Sequence, residues 1–169
     1  MTNTLVKITR YVSLLGCGML AGVAVTVLVL ELALRRLNGQ EYARVRQAEF
    51  AFFTPFIGAV FLPTLIAVAM LVIHARKTHS ITLRPAVIAL VLLLLALLVS
   101  LAVNGPINVE QLSWNVQAPP ADWARIRDRR QIAHAVRTLA IVLALGYLSA
   151  AILAPPLPGM PDRSKTADH

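Results

Sequence analysis

Four stretches of the chain are apolar for long enough to cross a bilayer, and short polar segments separate them. A membrane-spanning helix takes about 20 mostly apolar residues. The stretches from about Tyr11 to Leu34, Phe52 to His74, Ala86 to Val103 and Thr138 to Ala154 meet that length or come close to it. Such runs are read as helices, because a lone strand or open sheet in lipid leaves backbone N–H and C=O groups unpaired. The pattern predicts an all-α fold, a four-helix transmembrane bundle over residues 1–154, followed by a Pro-rich, irregular tail over 155–169. Proline cannot continue a helix through Pro155-Pro156-Leu-Pro158. The first span starts behind Lys7 and Arg10 like a secretory signal, but it ends in Glu31-Leu-Ala-Leu-Arg35-Arg36 with no small-x-small cleavage pattern. It is read as a retained helix.

Composition agrees and narrows the class. The 169 residues are 57% hydrophobic and 14% charged, with a mean hydropathy of +0.70. A soluble domain carries about a quarter of its residues as charges. A disordered chain, a disulfide scaffold and an ordinary water-soluble enzyme are excluded. Cys17 is the only cysteine, which removes intrachain disulfides and thiolate clusters. The formal net charge of +8 then poses a choice: basic residues at the lipid surface, or basic residues around an anionic group. With four spans, the first and third loops share one face of the membrane. They hold nine of the sixteen Lys and Arg residues, against seven for the other three segments, so their side is read as cytoplasmic. The whole is read as an integral protein of a bacterial inner membrane. Membrane lipid is the expected partner, and the basic residues are not patterned for nucleic acid.

Several polar positions carry two readings. Gly18 and Gly22, four apart in the first span, suit close helix contact, either as a homodimer seam or as packing inside the bundle. Bundle packing is preferred. Glu31 has Arg35 four residues on, so the two are expected to pair, either as a functional group within a span or as an interfacial ion pair. Asn38 and Glu41 fit a capping box, with Tyr42, Val45 and Phe52 either on one face of an interfacial helix leading into the second span or in an amphipathic linker, the preferred reading. Pro63 is expected to kink the second span, and Asn104-Gly105-Pro106 to break the helix at the end of the third. Asp122 suits a helix start after Pro119-Pro120.

Beyond that point spacing sorts the residues. Trp123, Arg127, Arg130, His134 and Arg137 recur at steps of four, three, four and three and form one stripe, leaving Arg125 and Arg129 off it. Buried arginines need partners, and Glu31, Glu49 and Glu110 lie on the same side of the membrane. The stripe is either a basic collar for lipid headgroups or one wall of an interfacial pocket with His134 as its base. Composition favours the collar. His74 and His79 fall on the opposite face, and neither metal-ligand spacing nor a Gly-rich phosphate loop is present; no metal or cofactor is expected.

The layout of four short spans resembles the anthrone oxygenase-like family of small membrane proteins. The resembling residues are Gly18 to Gly22, Asn104-Gly-Pro106-Ile107-Asn108, and Trp123-x3-Arg127-x6-His134-x2-Arg137-Thr138. Arg130 departs from that pattern, in which an aromatic residue is common. The resemblance implies oxidation of an anthrone-type phenolic ketone, a small aromatic substrate, to a quinone by dioxygen, without a cofactor. It further implies His134 as the base, with Asn108 and Arg137 hydrogen-bonding the enolate. Trp114 or Trp123 would stack on the rings, and Asn104, Arg127, Arg130 and Glu31 would line the substrate site. The rival reading is a non-enzymatic bundle that binds lipid or a partner helix. A small transporter is disfavoured, since ionisable groups are absent from mid-membrane.

Overall fold

A computed structural model describes residues 3–153; the tail predicted over 155–169 lies outside the described residues. The helices are α1 (Asn3–Leu34), α2 (Gly39–Lys77), α3 (Leu83–Val99), α4 (Gly105–Leu112) and α5 (Trp123–Leu153). Four stretches are long and apolar enough to span: Thr4–Leu34, Phe52–Lys77, Leu83–Leu112 and Trp123–Ile152. The all-α, four-helix transmembrane architecture read from the hydropathy pattern is therefore the one adopted. Around the bundle the order is α1, α2, α3, α5, with α5 closing against α1. Most of each span faces outward, and those faces carry Leu, Ile, Val and Phe, as a lipid-facing surface requires.

The interior is built from small residues. Ala21, Ala24, Ala96 and Ala140 pack with Leu20 and Ile141 at mid-bundle, and Cys17, Val68, Leu93, Ala144 and Leu148 form the adjoining core. Small side chains allow helices to approach closely without a hydrophobic drive from lipid. Gly16 is the extreme case, since a Cβ there would run into the Thr64 side chain, which is itself buried and bonded to the Val60 carbonyl at 2.7 Å. Gly18 and Gly22 point the other way, with nothing within 4 Å of an added Cβ, so the expectation that they pack inside the bundle is corrected. Gly16→Ala should thus cost about 1–3 kcal/mol by overpacking, whereas Gly18→Ala and Gly22→Ala should leave stability near wild type. Thermal unfolding of the three variants in detergent checks this, and equal midpoints for all three would refute it.

Two further expectations change. The amphipathic first loop and the second span are one 39-residue helix, continuous through Pro55 and Pro63. Its start is the Asn38–Glu41 capping box, with reciprocal bonds of 3.0 and 3.1 Å. Tyr42 does not lie on an interfacial face with Phe52. It is fully buried with Leu34, Ala43 and Trp114 beneath the third loop, while Phe52 is exposed. Nor does Asn104-Gly-Pro break the third helix. A π-helical turn over Ser100–Asn104 widens the backbone there, and Pro106 falls in the first turn of α4, where a missing N–H costs little. Asp122 does stand at the start of α5, its carbonyl accepting from the amides of Arg125 and Ile126, but its carboxylate takes the Arg125 guanidinium at 2.6 Å.

Candidate functional site

The first and third loops meet at one end of the bundle, where the Gln40 side chain donates to the Gln117 carbonyl at 2.8 Å. Beneath them lies a cavity of about 460 Å³ bounded by α1, α2, the α3–α4 unit and α5. Its walls are apolar and partly aromatic, with Phe50, Phe53 and Phe61 from α2 and Leu97 and Leu101 from α3 and the π turn. Its polar groups come from Arg46, Glu49, Thr54, Ser100, Asn104, Asn108, Arg130 and Arg137.

These groups are arranged in levels, because α5 runs antiparallel to α3–α4. At the level nearest the loops, the Asn108 amide oxygen accepts from Arg130 Nε at 3.0 Å and from Arg46 at 3.2 Å. Arg46 also bonds Gln111 at 3.3 Å and pairs with Glu49. Arg130 pairs with Glu31, which is 1% exposed; Arg46 stands 3.6 Å from the same carboxylate, and Gln131 donates to it at 3.3 Å. The buried charges are thus neutralised inside one network, as burial demands. Arg35 turns outward to Asp128 at 3.2 Å, which corrects the expected Glu31–Arg35 pair. Glu110 is exposed and takes no part in the network. Burial raises the Glu49 carboxyl above the ordinary glutamate range, against the opposing pull of Arg46, and burial likewise raises the Tyr42 phenol.

Two turns deeper, Arg137 donates to Ser100 Oγ at 3.3 Å and to His134 Nδ1 at 2.5 Å. A guanidinium can only donate, so Nδ1 holds the lone pair and Nε2 carries the proton, given to the Ala24 carbonyl at 3.1 Å. His134 is therefore neutral, with both ring nitrogens engaged. It lines a small neighbouring space of about 30 Å³ shared with Arg137 and Ser100. Among the described residues no carboxylate lies within ion-pair distance of Arg137, and its Nε is buried without a partner. Between the two levels, Asn104 lines the cavity at 4% exposure with neither amide atom bonded. Buried polar groups are nearly always paired, yet the Asn104 amide, one donor and one acceptor, and the Arg137 Nε–H have no partner among the described residues.

Of the residues expected at the site, Asn104, Asn108, Arg130 and Arg137 line the cavity, His134 adjoins it, and Glu31 anchors it from behind. Trp114, Trp123 and Arg127 are elsewhere. The two indoles lie 6.5 and 5.7 Å from the Tyr42 ring, and Arg127 stacks over Trp123 at 5.0 Å, closing the bundle under the loops. They do not line the cavity, so the aromatic wall is phenylalanine. Arg46 and Gln111 were not anticipated, and Glu49 was anticipated only as an arginine partner. The Arg46–Glu49 spacing of three on the amphipathic segment is the signal that marks them. Among the described residues no three His, Cys, Asp or Glu side chains gather as a metal-ligand set.

Fold and site together define a four-span helical membrane protein with an amphipathic cavity at one end of its bundle. The family model for anthrone oxygenase matches residues 52–147, more than half of the chain, and the protein belongs to that family. No curated protein and no solved structure matches it. The matched segment carries most of the α2 wall, the π turn and most of α5; Glu31, Arg46, Glu49 and Phe50 precede it.

Proposed function

We propose that the protein oxidises a flat phenolic ketone of the anthrone type to the quinone with dioxygen, inside the cavity at the membrane interface. The observation that carries this reading is the unsatisfied donor set of Asn104 and Arg137 facing an aromatic-walled space. Such a ketone has a weakly acidic methylene group across the central ring from its carbonyl. Loss of a methylene proton gives an enolate whose charge sits on the former carbonyl oxygen, where preorganised donors stabilise it best. The enolate passes an electron to dioxygen, recombination forms a carbon–oxygen bond, and the resulting peroxide anion takes back a proton to give a hydroperoxide. Loss of water from that hydroperoxide leaves the new carbonyl, so one oxygen atom ends in the quinone and the other in water. Arg137 and Asn104 hold the enolate oxygen. Asn108 keeps Arg46 and Arg130 in place, and His134 orients Arg137 through its Nδ1 lone pair.

The test is conversion of an anthrone to its anthraquinone, with oxygen uptake, by membranes containing the protein against membranes lacking it. No uptake with any phenolic ketone, together with tight binding of anionic lipid, would replace this reading with that of a lipid-binding bundle. His134→Ala should lower turnover by about 10- to 100-fold, the scale of a misplaced catalytic group. Undiminished turnover removes His134 from the mechanism.

A further inference from the structure

The donor end of the cavity leaves the proton unassigned, and His134 has no free lone pair to take it. We infer that Glu49 is the catalytic base, its carboxylate receiving the methylene proton of the substrate. The inference rests on the oxygenase reading for the identity of the carbon acid. Among the described residues Glu49 is the one carboxylate that lines the cavity, since Glu31 is held behind it by Arg130, Arg46 and Gln131. One Glu49 oxygen is bonded to Arg46, and among the described residues no bond occupies the other. The Glu49 side chain is 16% exposed, enough to pass a proton out to water at the interface.

Position supports chemistry. Arg46, the ion-pair partner of Glu49, shares the Asn108 oxygen with Arg130, whereas the enolate donors centre on Arg137, seven residues further along α5. Seven helical residues advance about 10 Å. Arg137 therefore stands about two helical turns from the level of Asn108 and the Arg46–Glu49 pair, with Asn104 between, a separation that suits a substrate whose methylene and carbonyl lie on opposite sides of its central ring. In the step, the C–H bond breaks, its electron pair stays with the ring as the enolate, and an O–H bond forms on the free Glu49 oxygen. Burial raises the Glu49 carboxyl, which brings a weak base closer to the strength that proton transfer near neutral pH needs.

Anaerobic hydrogen exchange tests the step apart from oxidation. The full chain in detergent micelles is given an anthrone in D2O without oxygen, and deuterium entering the methylene group is followed. Wild type is expected to exchange well above empty micelles. Glu49→Gln should exchange at least about 100-fold more slowly, the lower bound for a lost general base, and Glu49→Asp should keep part of the rate. Folded Glu49→Gln exchanging at the wild-type rate overturns the inference and leaves the oxygenase reading standing. Exchange by wild type without quinone formation in air does the reverse, and neither exchange nor oxidation by wild type removes both.

The wild-type protein supplies an independent check. A base must be ionised, so exchange is present at high pH and lost as pH falls through a value above the usual glutamate pKa of about 4.3. The charged and titratable groups facing Glu49 are Tyr42 and Arg46 on its own helix, Glu31 from α1, and Arg130 and Arg137 from α5. Arg46 pairs with Glu49 directly, and Glu31 is held by Arg130 and Gln131. A rate that stays flat through that window overturns the inference even if no variant folds.

Discussion

Arg130→Met should destabilise the protein by about 3 kcal/mol, the lower end for removing one partner of a buried ion pair. The cost does not come from losing an attraction as such. It comes from Glu31, left 1% exposed with a charge and only Arg46 at 3.6 Å and Gln131 at 3.3 Å to hold it. Removing Arg130 also withdraws one of the two donors that fix the Asn108 amide, so the cavity wall loosens as well. The double variant Glu31→Leu with Arg130→Met should recover most of the loss, because apolar residues of similar size replace buried pairs at little or no cost. Arg46 keeps Glu49 in that background. Thermal unfolding in detergent across the four-protein cycle checks this. A single variant as stable as wild type would mean that water already reaches Glu31.

The helices and the grouping of one polar face of α5 were legible because both are set by period; the direction that face takes was not. Runs of about 20 apolar residues have one structural answer in lipid. Spacing separated Arg125 and Arg129, which are exposed, from the stripe of Arg130, His134 and Arg137, but composition favoured a headgroup collar for that stripe, and the structure instead turns its Arg130–Arg137 part into the bundle. Choice of partner was less legible. Arg35 is the neighbour of Glu31 in sequence, but α5 brings Asp128 to Arg35 and Arg130 to Glu31 from about a hundred residues away. The same is true of Arg46 and Glu49. Their segment is amphipathic and short of apolar residues, and only its continuation into the second span carries it under the third loop. The Trp123 end of the stripe was placed in the site by extending a straight helical face. In the structure that face passes from the cavity to the Tyr42 cluster between Arg130 and Arg127, because the loops close over the bundle at that level.

Arg137→Gln should reduce kcat by about 100- to 1,000-fold, the range for removing one donor to a developing oxyanion, while leaving stability closer to wild type than Arg130→Met does. The two arginines sit on one helix face, yet their surroundings differ. Arg130 has a carboxylate, and Arg137 has a serine hydroxyl, a neutral histidine and a buried, unbonded Nε. A cation without an anion in a spanning segment is costly unless something supplies the charge, and under the proposed oxygenation an enolate formed in the cavity would do so only as the reaction proceeds. The effect therefore falls on kcat with KM little changed, since a neutral ketone gains much less from the guanidinium than its enolate does. Arg137→Lys tests the geometry separately: it keeps the charge but loses the planar fork that reaches Ser100 and His134 together. It should recover part of the rate and not all of it. Steady-state kinetics in proteoliposomes decide the matter. A rise in KM with kcat unchanged would make Arg137 a ground-state binding residue, and full activity in Arg137→Gln would move the enolate's charge to Asn104 alone.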